Sequence, residues 1–369
     1  MFIDQHYSIG QIDGINLLAN SLHNHLNFIV TTAKAKFLLK GFKHNLSLSQ
    51  FVFAEFCLEE LCRLDFTYII PSSRTKTKAF YVNYNNHYFY LRPYLDNCQS
   101  FTTPDNSCIM LIGNLLAQFH DGSAGLNLAN ITRQAQEYFF DKDLVFDYQH
   151  NWRNWFHLSN DLRQNWQDLS SDLGVSNKAN SQLNQIIADS YGVIMRSVDF
   201  VINPMFIHGD FHQGNILMNN LKSDSKIKII IDFEYSHISW PIYDIAYALL
   251  MLSTNWYFDP ENKDQDFNHK IINLFLTSYV NYFTTLESPS ALYNILAIKK
   301  KQDIINSLKI QLITFLKLVV IINLNWCLVQ VKFNQSISQD NFITMCQFQN
   351  LMNLYSILNN QEIIPQAWL

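Results

Sequence analysis

The sequence predicts an α+β chain, with a small antiparallel sheet first and a larger, mostly helical part after it. Three observations carry this. Short β-prone runs crowd the first hundred residues. Beyond about residue 97 the apolar residues fall at helical spacing. One β-type island at 205–232 interrupts the helices.

The strand-like runs are 15–22 (INLLANSL), 26–32 (LNFIVTT) and 37–42 (FLLKGF), with turns at His23–His25 and Ala33–Lys36. Residues 49–64 then place apolar side chains at helical intervals. Two more runs, 79–84 and 87–92, flank Asn85-Asn86, which reads as a tight turn. These elements predict an N-terminal part over 1–96. The remainder, 97–369, carries helices at 108–120, at several places in 130–200, and at 243–253, 268–285 and 301–333. No internal repeat and no Pro/Gly-rich linker divides the chain further.

Composition narrows the function. Apolar residues make up 48% of 369, enough for a sizeable core and against disorder. The net charge is −5, so the basic excess of a nucleic-acid binder is missing. The six cysteines form no CxxC pair, and Cys57 and Cys62 are at no zinc spacing. They read as reduced core residues, and the expected location is cytoplasmic. The most apolar run, 312–322, is short for a bilayer and contains Lys317. A buried helix is expected there, and no membrane partner.

The chemistry concentrates at 206–217, Phe-Ile-His-Gly-Asp-Phe-His-Gln-Gly-Asn-Ile-Leu. An apolar strand end runs into His208-Gly209-Asp210, and Asn215 follows at the start of another strand. Phosphoryl-transfer loops place an aspartate that accepts the substrate hydroxyl proton and, five residues later, an asparagine that holds Mg²⁺. Asp210 and Asn215 have that spacing, with Gly209 where protein kinases carry arginine. A polar turn and the strand 226–231 then deliver Asp232-Phe233-Glu234. A carboxylate at that place binds the metal that bridges the nucleotide phosphates. An aspartate at a strand end is common. The ordered combination is not.

The pattern FIHGDFHQGNIL, IIIDFEYS and PIYDIAYALL resembles the aminoglycoside phosphotransferase and choline kinase superfamily of small-molecule phosphotransferases. The resemblance is strong over 205–250 and loose elsewhere. It implies a bilobal, protein-kinase-like fold with ATP and Mg²⁺ as cofactors. Asp210 becomes the catalytic base, and Asn215 and Asp232 the metal ligands. Lys40 is similar to the lysine that contacts the α- and β-phosphates, with Lys36 as a rival in a turn. Glu55 is similar to the helix glutamate that pairs with that lysine. Arg92, Tyr94 and Leu95 fall at the hinge, where main-chain groups would meet adenine. Asp244 takes the last acidic position of the family pattern. His208 is expected to hydrogen-bond backbone, His212 to orient the loop or touch phosphate, and Glu234 to meet metal or substrate. The turn between the first two strands lacks the family's glycine, and His23 and His25 read as solvated.

The implied reaction is transfer of the ATP γ-phosphoryl to a hydroxyl of a small molecule, an amino alcohol or related metabolite first. An aminoglycoside or sugar is the alternative acceptor. A regulatory protein kinase or a non-catalytic binding module is the second alternative. Only eleven residues separate Asp232 from Asp244, little room for a protein-substrate segment. Trp152, Trp155, Trp240, Tyr243 and Trp256 are candidate acceptor-site aromatics, weighed against ordinary core roles. A mildly acidic chain suits a cationic acceptor.

Overall fold

Alternation along the first strands sorts their side chains onto two faces. Leu39, Phe89 and Leu91 join Ile3, Tyr7, Val30 and Val82 in one cluster. Phe42 and Tyr90 join Phe51, Val52 and Phe80 in another. The computed structural model describes residues 2–18, 26–43, 48–100, 104–139, 150–170, 177–198, 204–219, 227–257, 259–262, 266–285, 301–333 and 339–360. The chain divides into two compact units.

The first unit comprises Met1–Phe101, Leu126–Phe146 and Gly214–Ser236. It opens with α1 (Phe2–His6), β1 (Ile12–Leu17), β2 (Leu26–Thr32) and β3 (Lys36–Lys43). Helix α2 (Leu48–Arg63), β4 (Val82–Tyr84), β5 (His87–Pro93) and β6 (Cys98–Gln99) follow. The main sheet is antiparallel, in the order β1-β2-β3-β5-β4. Asn85 and Asn86 both take positive φ, the signature of the type I′ hairpin turn. The expected strand 79–84 shrinks to 82–84. Ala79 is bound instead in a turn with Thr75, and the Phe80 amide donates to the Tyr138 hydroxyl.

The unit is not the contiguous stretch 1–96 that the sequence suggests. Helix α4 (Leu128–Phe139) packs on α2. Strands β8 (Ile216–Asn219) and β9 (Ile227–Ile230) complete a second sheet in the order β6-β8-β9. Hydrogen bonding thus draws the Asn215–Asp232 half of the motif into this unit.

The second unit is mostly helical: α3 (Asn106–Ala124), α5 (His150–Ser170), α6 (Asn177–Val198), α7 (Pro241–Ser253), α8 (His269–Thr285), α9 (Lys301–Phe333) and α10 (Gln339–Asn360). Helix α3 crosses α8 closely at Gly113, where a Cβ would lie 2.5 Å from the Phe275 carbonyl oxygen. The α9 segment Gln311–Lys332 is long and apolar enough to cross a membrane. Here it packs against α5, α6, α7 and α10, and Leu312, Phe315, Leu316 and Leu318–Ile321 are buried. The two-stranded pair of β7 (Met205–Ile207) and β10 (His237–Ser239) leads into α7, which starts on Pro241.

Candidate active site

The unit boundary falls between Gln213 and Gly214, inside the motif. Each half is built by its own unit.

In the helical unit, β7 ends at Ile207 and is anchored by pairing with His237. The chain then turns sharply. Gly209 sits at φ 81°, a left-handed conformation that glycine adopts without penalty. This is the local reason for glycine where protein kinases carry arginine. The turn is clamped by Asp244 on α7. His208 N–H donates to its Oδ2 and Gly209 N–H to its Oδ1, both at 2.8 Å. Asp244 is fully buried and is braced in turn by His120 of α3, with Nε2 at 3.2 Å. His120 Nδ1 lies 2.8 Å from the Tyr279 hydroxyl. An ionised Asp244 accepts from Nε2. Burial alone would raise the Asp244 carboxyl, but the His120 and His208 contacts outweigh it and hold it below its ordinary value.

His208 is buried, and its Nδ1 accepts the Asp210 amide at 3.2 Å. It meets backbone at this contact. Asp210 itself is partly exposed. His212 Nε2 lies 3.6 Å from Asp210 Oδ2, and its ring meets Tyr247 at 6.4 Å. Burial and the Asp210 carboxylate, which it hydrogen-bonds, push the Tyr247 hydroxyl well up. His212 therefore stands beside the Asp210 carboxylate. Gln213 Nε2 donates to the Met251 carbonyl and fixes the far end of the loop to α7.

In the sheet unit, Asn215 closes a 3₁₀ turn before β8, and its carbonyl accepts the Ile231 amide at 2.9 Å. That bond brings Asn215 and the end of β9 side by side. Asp232 follows in the left-handed region at φ 67° and ψ 58°, a strained state for a non-glycine residue and tolerated best by Asn and Asp. The turn Phe233–Tyr235 then carries Glu234 inward. Asn215 and Asp232 offer an amide and a carboxylate, hard oxygen donors that suit a Mg²⁺ whose shell phosphates and waters complete.

Lys40 of β3 is paired across the ladder with Tyr90 of β5. Its ammonium lies 2.8 Å from Asp232 Oδ1 and 2.6 Å from Glu234 Oε1. Burial would lower the Lys40 pKa, but Tyr90, Asp232 and Glu234 raise it well above the usual value. The rival Lys36 instead forms a surface ion pair with Asp96.

The expected pairing of Glu55 with Lys40 is not formed. Glu55 takes the Arg92 guanidinium and the Ser72 amide, the latter at 2.7 Å. Residues 40, 90 and 92 share one face of the sheet, so β5 supplies a second internal cation that reaches α2. Arg92 is thus engaged through its side chain, not only as a hinge backbone. Tyr94 N–H donates to the Lys36 carbonyl, one step beyond the β3–β5 ladder, so that donor is not open to adenine. Leu95 is half-buried.

Among the acceptor-site aromatics, Trp240, Tyr243 and Trp256 are buried core residues. The side chains of Trp152 and Trp155, and the turn holding His23 and His25, lie outside the described residues. Sequence reading did not single out His120, Tyr90 or Ser72. A lone histidine on an apolar helix face carries no spacing signal. The period-2 match of Tyr90 to Lys40 becomes visible only once the register is known.

Residues 111–268 match the model of the phosphotransferase enzyme family. No curated protein matches the chain by sequence. Among solved structures, a spectinomycin phosphotransferase in complex with ADP and spectinomycin is similar with a TM-score of 0.58 at 14% identity, covering 98% of this chain and 97% of that one. An amicoumacin kinase in complex with AMP-PNP and Ca²⁺ is similar with a TM-score of 0.61 at 12% identity, covering 98% and 92%. A microcompartment-associated aminopropanol kinase is similar with a TM-score of 0.61 at 14% identity, covering 98% of each. The chain thus has the α+β, kinase-like fold of these small-molecule kinases and, over residues 111–268, resembles the phosphotransferase enzyme family.

Proposed function

We propose that the protein transfers the γ-phosphoryl of ATP to a hydroxyl of a small molecule, an amino alcohol or related metabolite. The observation that carries this is the ordered set Asp210, Asn215 and Asp232, with Lys40 held against Asp232 at 2.8 Å.

In this reading Asp210 orients the acceptor hydroxyl and takes its proton late, since the transition state is largely dissociative. Asp244 holds the His208 and Gly209 amides, His208 takes the Asp210 amide, and His212 flanks the Asp210 carboxylate. Lys40 neutralises phosphate oxygens. Asn215 and Asp232 would hold Mg²⁺, which supplies charge neutralisation at the phosphates. Arg92 and Glu55 act as a structural tie between β5 and α2.

Two things support a small acceptor, the eleven residues between Asp232 and Asp244 and the likeness to an aminopropanol kinase, while the net charge of −5 suits a cationic one. The likeness to spectinomycin and amicoumacin kinases favours an antibiotic acceptor as the second reading. ADP release measured with amino alcohols, sugars and aminoglycosides separates the two. Turnover confined to the antibiotics would overturn the first reading, and turnover with none of the acceptors would overturn both.

A further inference from the structure

We propose that Glu234 is the standing counter-ion of Lys40, and thus a positioning residue for the phosphate-binding lysine, while Asp232 is left for the metal. The role given to Lys40 rests on the phosphotransferase reading. The pairing itself does not.

The two carboxylates that touch Lys40 differ in kind. The Glu234 side chain is 6% exposed and that of Asp232 is 35% exposed. Glu234 Oε1 receives both Lys40 Nζ at 2.6 Å and the Tyr90 hydroxyl at 2.9 Å. Those two donors are directly opposed in the β3–β5 ladder, which runs from Phe37 and Pro93 to Lys43 and His87. Backbone register therefore fixes both donors on one face. The acceptor is fixed as well. The left-handed Asp232 starts the turn that buries Glu234, and Gln50 Nε2 of α2 ties the end of that turn through the Ser236 carbonyl at 3.1 Å.

Electrostatics favours this division. Lys40 is only 11% exposed, and a buried ammonium without a carboxylate is costly. If Asp232 turns to a metal, Glu234 keeps Lys40 neutralised. If Glu234 turned to the metal, both Lys40 and the buried Tyr90 hydroxyl would lose an acceptor. The helix glutamate that could substitute, Glu55, is already committed to Arg92 and to the Ser72 amide.

Two measurements on the full chain decide it. The first is urea unfolding without nucleotide, for Lys40→Met, Glu234→Gln and the double variant. The expected result is coupling: the double variant's midpoint loss falls short of the summed single losses by about 0.5 M or more. Tyr90→Phe, which changes little volume, should couple with Glu234→Gln in the same way. Coupling of Lys40→Met with Glu55→Gln, and none with Glu234→Gln, would overturn the proposal. The second is ADP affinity with EDTA present. Lys40→Met and Glu234→Gln should each weaken it about tenfold, and the double variant no further than either alone. Unaltered ADP binding in EDTA, with the Mg²⁺ enhancement lost in Glu234→Gln, would make Glu234 a metal ligand and overturn the assignment. A wild-type chain that binds no ADP would sink the phosphotransferase reading, while the unfolding cycle would still decide the pair.

Discussion

The Glu55 carboxylate, 1% exposed, accepts from the Arg92 guanidinium and from the Ser72 amide. The Arg92 guanidinium also lies 5.1 Å from the centre of the Tyr90 ring. One carboxylate thereby joins α2, β5 and the segment between α2 and β4. Burial would lower the Arg92 pKa, but Glu55 and Tyr90 together raise it, so the guanidinium stays charged at every working pH.

Removing one partner of this pair leaves the other buried and unmatched. Glu55→Gln is expected to destabilise the protein by about 3 kcal/mol, the scale for breaking a buried ion pair. Adding Arg92→Met should recover part of that loss. Urea unfolding of the two single variants and the double variant checks this. Losses that simply add would contradict it.

Gly209→Ala forces a side chain into the left-handed region at φ 81°. The expected cost is about 1–2 kcal/mol of stability, with slower turnover because the loop carrying Asp210 must shift. Chemical denaturation and steady-state assays on the same preparation test both parts. A variant as stable and as active as wild type would show that the turn is not under this constraint.

Asp244 links the fold to pH. Its carboxyl is held below the ordinary value near 3.9 by contacts present only in the folded state. A depressed folded pKa contributes stability that is present above the unfolded value and lost as pH falls through the folded one. Wild-type stability should therefore decline below about pH 4. Asp244→Asn should be less stable at pH 7 and show a shallower acid decline. Denaturation curves at several pH values between 3 and 7 provide the comparison, and parallel slopes would show that Asp244 does not set the acid decline.

Asp232 combines a strained backbone with the metal-ligand role proposed for it. Asn is the replacement best able to keep φ 67°, so Asp232→Asn should fold. Its turnover should fall by at least about a hundredfold, because a carboxylate charge near the phosphates is lost. Circular dichroism alongside ADP-release assays separates misfolding from lost chemistry.

Much of this was legible in the sequence, and the exceptions have physical causes. The spacing of Asp210 and Asn215 and the strand before Asp232 are local features, and local pattern finds them. The helix 301–333 and the hairpin at Asn85-Asn86 are equally local. Partner choice among buried charges is not. Glu55 has two candidate strand cations, and the pairing of Lys40 with Asp232 and Glu234 and of Arg92 with Glu55 appears only in the folded sheet. The brace of His120 on Asp244 spans 124 positions, so no window along the chain reveals it. The division of the motif at Gly214 likewise follows from the pairing of β6 with β8, a two-residue strand too short to read from sequence.

Asp210 is proposed to serve phosphoryl transfer to a small hydroxyl acceptor. The most direct test is acceptor-dependent ADP release by wild type and by Asp210→Ala, with Mg·ATP and a panel of amino alcohols, sugars and aminoglycosides. Wild type is expected to turn over at least one acceptor, and Asp210→Ala to lose at least about a hundredfold. Equal turnover by the two proteins would contradict it.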